Sequence, residues 1–421
     1  MTKIAAPEPA AELTAAQTPQ PKTPALRRRL TLPLLVLYGV GTTVGAGIYV
    51  LIGKIAGQAG VYSPWSFVLA ALVMAFTVAS YAEMSTRYPV SAGAAAYVKA
   101  GFRKRWMSRL TGFVTIGTGL VSSAAVALGS AGYVSQFVDL PTWVIVVAAV
   151  IVIGAVTGWG ILQSVLLAGV LTVIEVAGLV VIIAAALVSD IPIADTLHLP
   201  PMEFDALASI AFAGLLAFFA FIGFEDLANV VEEAKDPRRD IPLAMVLTLA
   251  IATVLYVGVA VIAISAAPID ELAASEAPLS LVFQRLAGVS PGVISGIAII
   301  ATLNTILAQM TMASRVIYGM ARQGDLPLVL GNVSPITGTP LLATGLVTAA
   351  VIGLALWFPL IGLAESTSLA TLAVFALVNL SLLVVRLRGE KAAEGHIRVP
   401  IVIPLIGFVS CLGLIASATL G

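Results

Sequence analysis

The chain has 421 residues, of which 59% are hydrophobic and only 10% are charged, and its mean hydropathy is +1.05. Soluble domains carry roughly 25% charged residues, so this composition excludes a soluble globular protein and indicates a polytopic all-α membrane protein. The formal net charge is zero, and the single cysteine, Cys411, excludes an internal disulfide framework and a thiolate metal cluster.

The N-terminal segment differs from the rest of the chain. It is rich in Ala, Pro, Thr and Gln and contains few large apolar residues. A segment of this kind cannot bury enough apolar surface to fold, so residues 1–30 are predicted to form a disordered tail. It lacks a short apolar core followed by a cleavage site, and we therefore expect no removable signal peptide.

Long uncharged runs follow the tail, and each is near or above the ~20 residues that a helix needs to cross the hydrocarbon layer. They predict eleven spans, near residues 33–52, 64–82, 111–136, 143–159, 161–188, 206–230, 241–265, 291–319, 340–358, 361–385 and 399–419.

The positive charges orient these spans. Every lysine and arginine except Lys54 and Arg285 falls in the tail or in the alternate loops that lie on the same side. Loops rich in Lys and Arg remain in the cytoplasm, so the N-terminus is predicted to be cytoplasmic in a multi-pass protein of the cell inner (plasma) membrane.

The first span contains GVGTTVGAG, from Gly39 to Gly47. Each glycine costs about 1 kcal/mol relative to alanine inside a helix, so the helix is weak at this point. One explanation is packing, because the spacing of Gly41 and Gly45 lets transmembrane helices approach closely. The other is an interrupted helix that presents bare N–H and C=O groups to a binding cavity.

The sixth span contains a second weak point, FFAFIGFEDLAN, in which Gly223 is followed by Glu225 and Asp226. Spans 1–5 and 6–10 form two sets of five, and the second set runs through the membrane in the opposite sense. Interrupted helices at corresponding positions are typical of inverted-repeat transporters. We therefore predict a first repeat at 31–190, a second at 206–386, and a C-terminal span within 387–421.

Interrupted helices suit a zwitterionic ligand. The N–H groups and the dipole at the start of the second half-helix favour a carboxylate, and free carbonyl groups favour an ammonium. An α-amino acid carries both groups.

Four segments resemble those of a known family: GVGTTVGAGIYVLIG, YPVSAGAAAYV, FAFIGFEDLANVVEEAKDPRRDIPLAM and SRVIYGMARQGDLP. In this order they are similar to the amino acid–polyamine–organocation transporters, which have the LeuT-type 5+5 fold with discontinuous helices 1 and 6. The resemblance covers residues 33 to about 386.

The resemblance implies roles for particular residues. The substrate carboxylate would contact the backbone amides of Gly45, Ala46 and Gly47. The ammonium would contact the backbone carbonyls of Thr43, Phe219 and Ile222. The Phe219 ring would form an aromatic gate, unless it packs against Phe218 and Phe221.

Charged residues inside the spans supply further candidates. A carboxylate such as Glu175 near the bilayer centre costs at least ~2.5 kcal/mol. Relatives often carry a lysine after the same T-x-x pattern, whereas here Thr172 is followed by Glu175. Glu175 is expected to carry a proton, to help hold a cation or to recognise a cationic substrate; the alternative is a structural hydrogen bond. Glu225 is expected at an inner gate, and Asp226 is expected to cap a helix.

These features predict a secondary transporter of α-amino acids that works by alternating access, coupled to protons or acting as an exchanger. The alternatives are a polyamine or organic amine transporter and an amino acid exporter. The sequence has no G-x-x-x-x-G-K-[ST] phosphate loop for ATP and no H-E-x-x-H or G-x-S-x-G motif of an enzyme. No cofactor, metal or nucleic-acid partner is expected, and the expected partners are an amino acid, protons and the lipid bilayer.

Overall fold

The computed structural model describes residues 30–89, 93–159, 165–192, 198–288, 290, 292–322, 324–390 and 396–418. The predicted tail lies outside the described residues, apart from Leu30. Within the described ranges the chain is helical, and its only β-type pairing is an isolated bridge between Leu30 and Ala234.

The described helices are α1 (Leu32–Thr43), α2 (Ala46–Ala59), α3 (Ser63–Arg87), α4 (Gly93–Phe102), α5 (Arg105–Val134), α6 (Thr142–Trp159), α7 (Val165–Leu187), α8 (Phe204–Phe221), α9 (Pro237–Ala266), α10 (Ile269–Ala274), α11 (Pro278–Ala287), α12 (Gly292–Arg322), α13 (Leu341–Trp357), α14 (Leu360–Leu387) and α15 (Val402–Ser417). Several begin with proline in the first turn, where its missing N–H has no helical partner: α1, α3, α9 and α11.

Among the described residues, eight helical stretches are long and apolar enough to cross a membrane, and three shorter apolar helices accompany them: α1, α13 and α15. Each of the eleven predicted ranges overlaps at least one of these helices. The structure thus confirms a polytopic all-α membrane fold. The first span is divided between α1 and α2, whereas α4, α10 and α11 lie between predicted spans.

The interrupted helices occupy the centre of the bundle. Helix α1 packs against α7 and α9, α2 packs against α8, and α8 also contacts α3 and α14. In the most apolar part of the stretch from Phe204 to Asn229, 67% of the residues are buried, against 33% in the stretch from Gly169 to Leu187. The central position allows backbone groups freed by a break to find partners within the protein.

A buried ion-pair cluster fixes one end of the bundle. The Glu83 carboxylate of α3 is 0% exposed; it accepts a hydrogen bond from Arg87 Nε at 2.7 Å and pairs with Arg386 of α14. It also accepts the Val399 N–H at 2.9 Å, just before α15 begins. Because a buried carboxylate is costly unless it is paired, these contacts hold α3, α14 and the approach to α15 together.

The same end carries exposed basic residues with acidic partners. Arg105 and Arg109 contact Asp325 at 3.1 and 2.5 Å. Arg103 contacts Glu390 at 2.6 Å, and the Tyr88 hydroxyl donates to the same carboxylate at 2.9 Å. Burial and this hydrogen bond raise the pKa of Tyr88 to about 12, whereas the Tyr88 hydroxyl and then Arg103 lower the pKa of Glu390. The ends of α3, α4, α5, α12 and α14 therefore meet in one polar layer.

Candidate functional site

The first break lies where the glycine pattern predicted it. Helix α1 ends at Thr43 and α2 begins at Ala46, with Val44 and Gly45 between them. Gly45 has φ −101° and ψ −136°, which is not helical, so the backbone changes direction at this residue. The prediction that the first span is discontinuous is confirmed.

The second break follows α8. Ile222 is extended, with φ −64° and ψ 134°, and Gly223 has φ +134°, a conformation that L-residues other than glycine rarely adopt. The chain then continues as a 3-10 helix, Phe224–Asn229, rather than as the expected α-helical continuation of span 6. A 3-10 helix is short because its hydrogen-bond geometry is poorer than that of an α-helix.

The two breaks contact each other directly. A Cβ on Gly223 would lie 2.2 Å from the Thr42 carbonyl oxygen, so only glycine fits this contact. The Thr42 hydroxyl, in turn, lies 3.0 Å from the Gly223 carbonyl oxygen. The two interrupted helices therefore meet at Thr42 and Gly223.

Tyr256 of α9 joins the same two helices from the side. Its hydroxyl lies 2.7 Å from the Thr43 carbonyl oxygen and 2.8 Å from the Ala220 carbonyl oxygen. Its ring packs edge-on against Phe221, with centroids 4.9 Å apart. Sequence reasoning missed Tyr256, because a tyrosine in an apolar run has no signal that distinguishes it from core packing.

The predicted amide donors lie at the start of α2, and one of them has a side-chain partner. The Ala46 N–H donates to the Thr305 hydroxyl of α12 at 3.1 Å. A Cβ on Gly45 would lie 2.1 Å from the same hydroxyl oxygen, so glycine is needed at 45 for Thr305 to reach the amide.

The other glycines of the first span also make close contacts. A Cβ on Gly47 would lie 2.4 Å from Ala220 Cα, which places the backbones of α2 and α8 against each other. Gly41 faces the Thr172 hydroxyl in the same way, where a Cβ would lie 1.9 Å away. The glycine-rich stretch thus combines helix packing with a break, and the two explanations of its sequence are compatible.

The predicted carbonyl acceptors lie around the same contact. The Thr43 carbonyl accepts from Tyr256, and the Phe219 carbonyl accepts the Ile222 N–H at 3.3 Å. The Phe219 side chain is 7% exposed. Its neighbours Phe218 and Phe221 form ring pairs with Phe375 and Tyr256, and Phe219 takes part in none of the ring pairs recorded for the described residues.

Glu175 of α7 lies in the interior with a single amide partner. Its side chain is 0% exposed, and its Oε1 accepts a hydrogen bond from Asn304 Nδ2 of α12 at 2.9 Å. Its Oε2 is buried without a hydrogen-bond partner among the described residues. Its backbone carbonyl accepts the Tyr49 hydroxyl at 2.6 Å, which ties this part of α7 to α2. Asn304 directly precedes Thr305 in the chain. The side chains of these two residues therefore connect the Glu175 carboxyl group with the Ala46 amide.

Glu225 and Asp226 lie just beyond the second break, and both are half-buried. The Gly223 N–H donates to Glu225 Oε2 at 2.8 Å, so this carboxylate supports the break itself. Asp226 accepts a hydrogen bond from Asn229 Nδ2 at 3.2 Å. The expectation that Asp226 caps the helix is wrong, because Gly223 holds the N-cap position and the side chain that bonds to the backbone there is Glu225.

The described residues contain no group of three or more His, Cys, Asp or Glu side chains that could hold a metal ion. The candidate site instead presents backbone groups, which are the amides at the start of α2 and the carbonyls at the ends of α1 and α8.

A family model described as amino acid permease matches residues 30–420. The chain belongs to the amino acid permease family. This membership confirms the resemblance to the amino acid–polyamine–organocation transporters, and it identifies the chain as a transporter rather than an enzyme.

This permease resembles relatives named for several substrates. It is 30% identical to the branched-chain amino acid permease BcaP of Bacillus subtilis (strain 168), over 93% of this chain and 88% of BcaP. It is 27% identical to the methylthioribose transporter of the same organism, over 94% and 90% of the two chains. It is 29% identical to the vacuolar cationic amino acid transporter 2 of Arabidopsis thaliana, over 86% of this chain and 60% of that protein.

Replacing Gly223 by alanine tests the contact between the two breaks. The new methyl group would lie 2.2 Å from the Thr42 carbonyl oxygen. The alanine would also have to adopt φ +134°, a conformation that L-residues disfavour. Backbone strain of this kind costs roughly 1–3 kcal/mol, and the clash adds to it. We expect a clearly lower melting temperature for the purified protein in detergent.

Gly296→Ala in α12 is the matched control, because a Cβ at that position meets nothing within 4 Å. Alanine is favoured over glycine inside a helix, so this variant should melt at or above the temperature of the parent. Equal melting temperatures for the two variants would show that the breaks do not depend on each other.

Proposed function

We propose that this permease is a secondary transporter that carries neutral α-amino acids across the plasma membrane by proton-coupled alternating access. The observation that carries the proposal is the meeting of the two interrupted helices at Thr42–Gly47 and Phe219–Gly223, next to a buried carboxyl group. An exposed break would not be tolerated in lipid, but it can persist where it lines a cavity inside the protein.

The break supplies recognition for both ends of an amino acid. The first-turn amides of a helix have no partner within that helix, and the helix dipole places partial positive charge there. We assign the substrate carboxylate to the amides of Gly45, Ala46 and Gly47. We assign the ammonium group to the carbonyls of Thr43, Phe219 and Ile222.

The apolar character of the surrounding side chains supports a neutral substrate. Phe219 and Ile222 flank the second break, and we assign the Phe219 ring to the gate that covers the bound ligand. A relative named for branched-chain amino acids agrees with this choice, so leucine, isoleucine and valine are the first substrates to test.

Glu175 is the proposed proton carrier. A charged carboxylate with one amide donor and no cation would be costly at this depth, whereas a protonated carboxyl group needs no counter-charge. Asn304 links this group to the adjacent Thr305, which binds the Ala46 amide. A change of protonation at Glu175 can therefore alter the helix that contacts the substrate site.

Glu225 is assigned to the inner gate. Its carboxylate holds the Gly223 N–H in the present arrangement, so opening of the second break requires this bond to change. We further propose that residues 31–190 and 206–386 are inverted repeats, because each begins with an interrupted helix, and that the N-terminus lies in the cytoplasm.

Uptake into proteoliposomes tests the transport function. With an inward proton gradient, we expect saturable accumulation of radiolabelled leucine, its loss when a protonophore is added, and counterflow when unlabelled leucine is loaded inside. Putrescine and methylthioribose serve as comparison substrates. Saturable putrescine or methylthioribose uptake without amino acid uptake would contradict the substrate assignment, and non-saturating flux would indicate a channel.

Replacing Glu175 by glutamine tests the coupling. The amide keeps a polar group of similar size beside Asn304 but cannot release a proton. We expect leucine binding to remain within a few-fold of the parent, since the substrate site is unchanged, and the pH dependence of uptake to be lost.

Glu365→Gln is the matched control, since Glu365 is a half-buried glutamate within α14 and has no assigned role at the site. Its pH profile should match that of the parent. A Glu175→Gln variant with an unaltered pH profile would exclude Glu175 as the proton carrier.

A further inference from the structure

The Thr305 hydroxyl is hydrogen-bonded to one of the backbone amides that the proposed substrate needs. Its oxygen accepts the Ala46 N–H at 3.1 Å, the position assigned above to a carboxylate oxygen. The same hydroxyl donates to the Ala301 carbonyl of its own helix at 3.0 Å. The side chain is half-buried, at the contact of α12 with α2.

We propose that Thr305 is a positioning residue whose hydroxyl takes the place of the substrate carboxylate in the empty site and is displaced when an amino acid binds. The inference rests on the proposed function, because it concerns the same amide cluster. It adds a residue that limits affinity and contributes to substrate selection.

The physical reason is the cost of an unpaired amide. Ala46 is buried, and a buried N–H without an acceptor costs about as much as a lost hydrogen bond. Thr305 satisfies this group when no substrate is bound, so a ligand must displace the hydroxyl in order to bind. Gly45 has no side chain, which lets the hydroxyl reach the amide.

Displacement by a carboxylate is favourable for two reasons. Hydrogen bonds to an ionised acceptor are roughly twice as strong as those between neutral groups. The displaced hydroxyl keeps its donor bond to Ala301, so it is not left without a partner. An amine that lacks a carboxylate cannot replace the lost acceptor, and Thr305 therefore disfavours such ligands.

The Thr305→Val variant tests the competition, because valine has nearly the same shape and no hydroxyl. The empty site then leaves the Ala46 amide unpaired, while the substrate-bound site does not change. Since a net hydrogen bond corresponds to roughly a three- to tenfold change in an equilibrium constant, we expect the Kd for leucine to fall by about fivefold. The measurement is equilibrium binding of radiolabelled leucine to the purified full-length protein.

Two variants make the result specific. Thr302→Val is the matched control, one turn earlier on α12, where the hydroxyl contacts Ser130 and the Ala298 carbonyl but neither break; its Kd should equal that of the parent. Thr305→Ser keeps the hydroxyl and should also bind like the parent. If the valine variant does not fold, Thr305→Ala enters the same comparison.

A Kd that is unchanged or weakened in Thr305→Val, or tightened equally in Thr302→Val, would overturn the proposal. Failure of the proposed function has a different signature, because the parent itself would then bind none of the twenty amino acids.

Discussion

The structure depends on one constraint, which is that backbone N–H and C=O groups freed within a membrane bundle must find partners inside the protein. Two helices at the centre of the bundle are interrupted, after Thr43 and after Phe221, and each interruption frees several such groups. The freed groups meet partners from other helices: Thr305 takes the Ala46 amide, and Tyr256 reaches the Thr43 and Ala220 carbonyls. Hydroxyl groups thus stabilise the first break, and at the second break the Glu225 carboxylate accepts the Gly223 N–H.

Neutral hydroxyl partners suit a transporter. An ionised partner would hold the Ala46 amide more strongly, whereas the Thr305 hydroxyl can be replaced by a charged substrate group. The polar layer at the basic end has the opposite character, since Glu83 is fully buried between two arginines. The helix ends are fixed by ion pairs, and the centre is held by weaker bonds that a ligand can exchange. This contrast gives the bundle a rigid frame around an adaptable site.

The sequence predicted the features that depend on local composition. Apolar runs located the spans, the glycines at 45 and 223 located both breaks, and an uncompensated carboxylate in an apolar run drew attention to Glu175. The interior position of Glu175 agrees with this expectation, while its coupling role and the assigned ligand contacts remain proposals.

Contacts between residues far apart in the chain could not be predicted, because the pattern of one sequence carries no information on which helices become neighbours. Thr305 is one of many threonines with helical spacing, and its importance depends on an amide 259 positions away in the chain. Arg386 contacts Glu83 although the two residues are 303 positions apart in the chain. Of the two arginines that contact Glu83, only Arg87 has the i, i+4 spacing that a sequence can reveal. The 3-10 form after Gly223 was also missed, since nothing in the sequence there distinguishes a 3-10 helix from an α-helix.

The most direct test of the central claim is an experimental density map of the protein in a lipid nanodisc with leucine bound. The account predicts two interrupted helices and a ligand between them, with its carboxylate within about 3 Å of the amides at the start of α2 and its ammonium at a similar distance from the Thr43 carbonyl. A map in which either helix runs continuously through its glycine, or in which leucine binds away from both breaks, would contradict it.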